Sequence, residues 1–497
     1  MDDIARFRKL VKEIKITEDV SWTYFWDMRV KLPPKGAAYR AETMGFLYEK
    51  IYAMKTAPEL KELCDRISNK KDNDKITSGM VKRVLKEYKK LMDIPAKLYS
   101  DFAEHNMQTA VLWQEARKKS DYAMLKNNLE RQFDFKRKFA ESCGYVDNPL
   151  DWLVGHEDEG MTTAKLDKIF DELKTGVMHL LGKINASGIK YNKELIYGNY
   201  PIGKQREFCR KIVADAGFDF EAGRLDESAH PFSLAWHDKT DIRMTTRYFE
   251  HNFTGAASSS MHEMGHSVYA QNHSDEIRGT TLDYAPSLGW HESQSKFYEN
   301  MVGRSKPFWS YYLPIAKTYF DSLKDMTLDN FYNSLNAVNI SPLRLNSDEL
   351  TYNLHIIIRY EIEKMIFARQ VKFDELPELW NKKINEYLGV TPQNDAEGIL
   401  QDIHWSNGNI GMFQSYALGN CYGGHFFTKI TKEIPDMYDQ IGKGKFDDIF
   451  NWLKDNIHVH GRIYNSVELL DRLTGEELSP KHYLDYLNQK YTELYKL

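Results

Sequence analysis

The chain has 497 residues, 42% of them hydrophobic and 28% charged, which is typical of a globular protein with a large core. Its net charge of -5 gives no basic surface for nucleic acid or membranes, so neither is an expected partner. The first residues lack a signal peptide's apolar core, and no apolar run reaches the roughly 18 residues of a membrane span. The four cysteines form no CxxC pair, which is typical of reduced thiols. We therefore expect a cytoplasmic protein.

Helical periodicity dominates the chain. Apolar residues recur at spacings of three and four in five segments, at 38–55, 75–94, 123–141, 165–184 and 350–368. The clearest strand pattern lies at 241–249, where Ile242 and Met244 alternate with polar neighbours. No repeat or domain boundary interrupts this pattern. We predict a mainly α fold, built as one unit over residues 1–497, with a helical N-terminal half and a small β-sheet near the middle.

The segment SSSMHEMGHSVYA, at 258–270, follows that strand after a short turn. On a helix, His262 and His266 would be neighbours, with Cβ atoms about 5–6 Å apart. Both imidazoles could then reach one zinc ion at roughly 2.0–2.1 Å. Glu263 would be turned away from His262, in the place of a general base. Gly265 would permit close approach of another backbone. Taken alone, the motif also fits two histidines that bind no metal.

A catalytic zinc needs a third protein ligand. The segment PSLGWHESQSKFYEN, at 286–300, offers Glu292, which lies 26 residues after His266. Leu288, Glu292, Ser295 and Glu299 would share one face of a helix. A solvated glutamate is the alternative interpretation of Glu292, and His291 is a rival ligand on spacing alone.

Six short motifs occur in a fixed order along the chain: HPF at 230–232, DIRMT at 241–245, HEMGH at 262–266, HESQS at 291–295, LRLNSD at 343–348 and GILQDIHW at 398–405. This order resembles the carboxypeptidase Taq family of zinc-dependent metallocarboxypeptidases, and the resemblance covers essentially the whole chain. It implies that His262, His266 and Glu292 bind the metal and that Glu263 is the catalytic glutamate. It also implies a helical, cleft-bearing, zincin-like molecule, commonly a homodimer, with the active-site motifs in 230–416. The implied activity removes single residues from the C-termini of peptides.

The tetrahedral oxyanion of peptide hydrolysis needs a hydrogen-bond donor in addition to the metal. Tyr416 and His404 match family positions suited to that task. Buried polar residues satisfied by the backbone are the alternative for both. Where the family usually has Tyr-Phe-Pro-Thr before this tyrosine, the chain has Met-Phe-Gln-Ser at 412–415, so substrate preference does not carry over.

An exopeptidase must also bind a free carboxylate, and the planar fork of arginine suits that role. Arg344 matches the family's arginine motif and is the first candidate. Arg243 on the strand and Arg359 in the helical segment are the other candidates, although each could be a structural ion pair. His230 could contact substrate through its HPF motif.

The predicted cofactor is one zinc ion per chain, and cobalt is another divalent ion that two histidines and a glutamate could bind. Three rival functions remain open on the sequence. They are a dipeptidyl carboxypeptidase or endo-oligopeptidase, an aminopeptidase, and a non-catalytic zinc protein. The presence of Glu263 disfavours the last, and no motif for binding a free amine supports the second.

Overall fold

The computed structural model describes residues 2–70 and 72–497. Over these ranges it has three short strands, β1 (Gly223–Glu227), β2 (Ser233–Ala235) and β3 (Ile242–Thr246). The α-helices of these ranges are α1 (Asp3–Val30), α2 (Ala37–Lys55), α3 (Pro58–Ser68), α4 (Lys75–Asp93), α5 (Ala96–Lys119), α6 (Ala123–Cys143), α7 (Leu150–Glu157), α8 (Thr163–Ser187), α9 (Ile202–Asp215), α10 (Phe253–Gln271), α11 (Leu288–Lys296), α12 (Lys306–Tyr319), α13 (Leu328–Leu335), α14 (Tyr352–Phe367), α15 (Leu376–Leu388), α16 (Phe413–Glu433), α17 (Met437–Ile441), α18 (Asp447–Asn456), α19 (Ser466–Thr474) and α20 (Lys481–Tyr495).

The predicted fold class is confirmed, because the chain is mainly helical and its small sheet packs beside the helix that carries HExxH. All five helical segments predicted from periodicity correspond to helices, namely α2, α4, α6, α8 and α14. The predicted strand at 241–249 is shorter in the structure, where β3 ends at Thr246. None of the described helices combines the length and apolarity needed to cross a membrane.

The sheet has the strand order β1-β3-β2, with β1 parallel and β2 antiparallel to the central strand. Ile242 and Met244 of β3 are buried, and α10 packs on this strand. Ser233 of β2 is paired with Met244, which places the start of β2 alongside the sheet's buried centre. The sequence did not reveal β1 and β2, because strands of five and three residues carry too little alternation to detect.

The described residues form two main hydrophobic cores and one small cluster of Cys209, Tyr248 and Ala256. The larger core joins helices from α5 to α20. The smaller core lies among α1, α3 and α4, and it includes Ile277 and Leu282 from the segment between α10 and α11. The smaller, N-terminal core thus includes residues from the middle of the chain. This supports the prediction of a single unit over residues 1–497, which stays a prediction.

Candidate metal centre and active site

Helices α10 and α11 carry the candidate metal ligands, and each begins at a side-chain cap. The Asn252 side chain accepts a hydrogen bond from the Gly255 backbone N–H at 3.0 Å, and the Ser287 hydroxyl accepts one from the Trp290 N–H at 3.2 Å. The two helices approach closely at Gly265, where a Cβ atom would lie 2.5 Å from the Gln294 carbonyl oxygen. Glycine is therefore required for this packing, and the expected close approach of another backbone is present.

The structure brings His262, His266 and Glu292 together. His262 Nε2 lies 3.8 Å from one carboxylate oxygen of Glu292, and His266 Nε2 lies 3.7 Å from the other. One ligand atom from each residue lies within 4.8 Å of the other two. Ligands of a tetrahedral zinc ion are about 3.3 Å apart, given bond lengths near 2.0–2.1 Å. The donor types and their spacing therefore fit a zinc ion after small side-chain movements.

Glu299 fixes the orientation of the first imidazole. Its Oε2 lies 2.9 Å from His262 Nδ1, and the Lys296 ammonium donates to the same oxygen at 3.1 Å. Burial raises the pKa of Glu299, but Lys296 and His262 outweigh it and hold this pKa well below its usual value. The carboxylate is therefore charged, Nδ1 carries the ring proton, and Nε2 is free to bind a metal. Glu299 belongs to a π-helical segment, Phe297–Val302, a geometry often found at functional sites.

The second imidazole is held differently. His291 stacks on His266, with ring centroids 4.0 Å apart and an interplanar angle of 11°. Burial lowers the pKa of His291 to about 4, so its ring is neutral at pH 7. The rival ligand suggested by spacing thus lies beside a candidate ligand and outside the group of converging ligand atoms.

Glu263 is 6% exposed and lies next to the ligand cluster. Burial raises its pKa to about 7, and the nearby Glu292 adds to this effect, while His262 and the Ser233 hydroxyl oppose it. The start of β2 thus borders the site, because it contributes Ser233. A carboxyl group with this pKa can take up and release a proton near neutral pH.

Arg344 and Arg359 share one carboxylate, that of Asp402. Arg344 contacts Asp402 through Nε at 3.2 Å and through one terminal nitrogen at 2.7 Å. Arg359 contacts it through Nε at 2.7 Å and through a terminal nitrogen at 2.6 Å. The Arg359 side chain is 0% exposed, so a substrate could not reach it. The other terminal nitrogen of Arg359 donates to the His355 carbonyl at 2.6 Å, whereas that of Arg344 has only a 3.3 Å contact with the Tyr352 hydroxyl.

The remaining candidates near Arg344 are His404 and Tyr416. The Tyr416 hydroxyl lies 3.5 Å from His404 Nε2, and the Tyr416 ring is 5.9 Å from the Arg344 guanidinium carbon. Burial lowers the pKa of His404 to about 4, and burial raises the pKa of Tyr416 above its usual value. Both rings are therefore neutral at pH 7. His230 is exposed and lies close enough to His404 to contribute to its lowered pKa.

Arg243 has a different set of partners. Its guanidinium forms two hydrogen bonds with Asp241, both at 2.7 Å, and stacks over Trp236 at 4.4 Å. Trp26 of α1 is its next aromatic neighbour. The structure therefore places Arg243 in an ion pair that faces α1.

A second group with metal-ligand residue types consists of His425, Glu476 and His482. His425 Nε2 accepts a hydrogen bond from the Ser479 backbone N–H at 3.0 Å, so the proton of the neutral ring sits on Nδ1. A protonated Nδ1 cannot bind a metal. His482 Nε2 lies 2.6 Å from Glu476 Oε2. We assign this group to hydrogen bonding between α16 and the segment that leads into α20.

The residues of the site that were not singled out for a role from the sequence include Glu299, Lys296, Tyr352 and Asp402. Spacing gave a partial signal for the first two, since they follow Glu292 by seven and four residues on a helical face. Asp402 belongs to the GILQDIHW motif. Nothing in the sequence distinguished Tyr352 from the other tyrosines of the chain.

Comparisons with known proteins support one family. The family model described as Carboxypeptidase Taq (M32) metallopeptidase matches residues 6–491. Carboxypeptidase 1 of Bacillus subtilis is 39% identical, over 99% of this chain and 98% of its own length. Thermostable carboxypeptidase 1 of Thermus thermophilus is 35% identical, over 95% and 94% of the two chains. The crystal structure of an M32 carboxypeptidase from Deinococcus radiodurans superposes with a TM-score of 0.96 at 32% identity and covers 100% of both chains.

Proposed function

Because the chain belongs to the carboxypeptidase Taq (M32) family and is a metallocarboxypeptidase, we propose that it is a zinc enzyme that releases single residues from the C-termini of peptides. The family predicted from the motifs is thereby confirmed. The observation that carries the finer proposal is the convergence of His262, His266 and Glu292 beside the buried Glu263. This arrangement has the ligand types of a catalytic zinc site and an adjacent carboxyl group.

In this proposal His262, His266 and Glu292 hold the ion. A bound zinc ion supplies Lewis-acid chemistry, since it acidifies water and polarises a carbonyl group. Glu263 accepts the proton of the attacking water and later returns it to the departing amine. Its pKa of about 7 matches a group that both takes up and releases a proton near neutral pH.

The oxyanion is proposed to receive hydrogen bonds from Tyr416 and His404. Tyr416 keeps its hydroxyl proton at pH 7, because burial raises its pKa above the ordinary value. His404 is neutral, since burial lowers its pKa to about 4, and it can donate from one ring nitrogen. Neutral donors in a buried site stabilise a developing negative charge without repelling a metal ion.

Arg344 is the proposed anchor for the terminal carboxylate of the peptide. Together, Arg344, Arg359 and Asp402 carry one surplus positive charge, and Arg344 keeps a terminal nitrogen that does not contact Asp402. We propose His230, which is exposed close to His404, as a further substrate contact. We propose a structural role for Arg243 and Arg359, because each forms an ion pair with an aspartate.

Product analysis tests the proposal. A set of peptides of defined length is incubated with the zinc-loaded enzyme and with chelator-treated enzyme, and the products are identified by mass spectrometry. Loss of one C-terminal residue at a time, abolished by the chelator and restored by zinc, is the expected result. Release of dipeptides or internal fragments would instead support the endo-oligopeptidase alternative.

We further propose a homodimer that works in the cytoplasm. Apolar side chains are exposed on α2 and α5, with Phe46 at 58% and Met107 at 65%, and a second copy could cover this surface. The four cysteines form no disulfide in the structure, as expected in a reducing compartment. Sedimentation equilibrium would give the mass of a dimer, and a mass of 58.2 kDa at all concentrations would contradict it.

A further inference from the structure

Two cations converge on one aromatic ring next to the candidate metal ligands. The Lys296 ammonium lies 4.7 Å from the centre of the Tyr352 ring, and the Arg344 guanidinium carbon lies 5.9 Å from it. Arg344 also donates to the Tyr352 hydroxyl at 3.3 Å. Lys296 follows the ligand Glu292 by one helical turn, so their Cβ atoms are about 5–6 Å apart.

Most of the N–H donors of the Arg344 guanidinium are already used within the protein. Its Nε and one terminal nitrogen are used by Asp402, at 3.2 and 2.7 Å. The other terminal nitrogen has only the long contact with Tyr352. An incoming carboxylate therefore meets one available nitrogen of Arg344, and a bidentate grip like that of a free guanidinium is not possible. A second cation would complete the binding of a carboxylate here.

Lys296 is suited to this role. Its side chain is 11% exposed, and its ammonium donates to Glu299 at 3.1 Å, which leaves two further N–H donors. Burial lowers the pKa of Lys296, but Glu299 outweighs burial and holds this pKa above its usual value, so the group is charged. Lys296 and Arg304 surround one carboxylate, that of Glu299, so this group also carries one surplus positive charge.

We propose that Lys296 acts with Arg344 to bind the terminal carboxylate of the peptide beside Tyr352, and that Lys296 thereby determines specificity for a free C-terminus. The proposal rests on the C-terminal exopeptidase activity proposed above. In such an enzyme the terminal carboxylate is one residue away from the scissile carbonyl. Its anchor must therefore lie close to the metal ligands, and Lys296 is the cation one turn from Glu292.

The test compares kcat/KM for a peptide with a free C-terminal carboxylate and for the same peptide amidated. The enzymes are wild type, Lys296→Met, Lys296→Gln and Lys296→Arg, with Lys324→Met as a matched control at an exposed lysine. Wild type should prefer the acid by about ten- to a hundredfold or more, the range of charge-assisted hydrogen bonds. Lys296→Met and Lys296→Gln should reduce this preference about tenfold, chiefly by lowering kcat/KM for the acid substrate. Lys296→Arg should keep most of it, and Lys324→Met should match wild type.

A second measurement does not depend on turnover. Binding of the free amino acid product, compared with its amide, should weaken for the acid alone in Lys296→Met. Equal losses for acid and amide substrates would overturn the proposal, because Lys296 would then act only through Glu299 and the metal. An unchanged acid preference in both Lys296→Met and Lys296→Gln would overturn it as well. If wild type cleaves acid and amide equally, the exopeptidase function itself fails.

Discussion

Glu299 Oε2 lies 2.9 Å from Nδ1 of His262 and accepts its proton in a hydrogen bond. Lys296 and Arg304 keep that carboxylate charged, at 3.1 and 3.8 Å. The bond selects the tautomer in which Nε2 faces Glu292 with a free lone pair. Glu299, which is not a proposed ligand, thus determines which ring nitrogen of His262 can bind the metal.

Replacing Glu299 by glutamine should therefore weaken metal binding. The side chain keeps its size but loses the charge that holds the His262 proton on Nδ1. Partners of this kind typically contribute about 10–100-fold to metal affinity. Competition with a chelator of known affinity measures the change, and Glu477→Gln on the exposed surface is the matched control. An affinity equal to wild type in Glu299→Gln would show that the contact has no role in metal binding.

Glu292→Ala should lose the metal, while His291→Ala should largely retain it. Glu292 places its carboxylate oxygens within 3.8 Å of both imidazole Nε2 atoms, whereas His291 stacks on His266. Removal of the stacking ring leaves the three proposed ligands in place. Metal content after dialysis distinguishes the variants. A metal-free His291→Ala and a metal-loaded Glu292→Ala would mean that the proposed ligand set is wrong.

Arg344→Lys should shrink the preference for a free C-terminus. Lysine keeps one positive charge near Asp402 but lacks the second nitrogen that faces Tyr352. We expect kcat/KM for the acid substrate to fall about tenfold while the amide changes less, since charge-assisted hydrogen bonds contribute about 1.5–3 kcal/mol. The same acid and amide pair, assayed with Arg344→Lys and wild type, gives the answer. If the ratio of kcat/KM for the acid to kcat/KM for the amide is the same in Arg344→Lys and wild type, Arg344 does not bind the terminal carboxylate.

Gly265→Ala should destabilise the packing of α10 on α11. The new Cβ would meet the Gln294 carbonyl oxygen at 2.5 Å, and overpacking of this kind typically costs about 1–3 kcal/mol. Gly182→Ala in α8 is the matched control, because a Cβ there meets nothing within 4 Å and alanine favours helix by up to about 1 kcal/mol. Thermal unfolding should show a lower midpoint for the first variant and an equal or higher one for the second. The reverse order would contradict the packing argument.

Local periodicity predicted the helical fold, and helical spacing paired His262 with His266. Spacing alone left His291 open beside Glu292, and the family resemblance completed the predicted ligand set. The family motif ranked Arg344 above Arg243, but the residues alone gave no physical reason for this order, since the difference lies in partners that only the fold supplies. Arg243 finds Asp241 two residues away, whereas Arg344 meets an aspartate 58 residues along the chain. The ion pair between the buried Arg359 and Asp402 likewise joins two residues that are far apart in the sequence.

Residues that act through a ligand were missed for a related reason. Glu299 lies on the predicted helical face, and Lys296 follows Glu292 by one turn, but the π-helical segment that begins at Phe297 changes the direction of the later side chains. Amphipathic periodicity assumes a regular helix and does not anticipate this change. The contact between Tyr352 and Lys296 joins two helices whose packing no local pattern encodes.

The most direct test of the account is the metal content and the peptide turnover of Glu263→Gln, measured on the same sample. The change removes the proposed base and leaves His262, His266 and Glu292 in place. We predict one bound metal ion per chain, as in wild type, and a fall in turnover of at least about 10²–10⁴-fold, the typical contribution of general base catalysis. Near-normal turnover with the metal bound would contradict the assignment of Glu263 as the base.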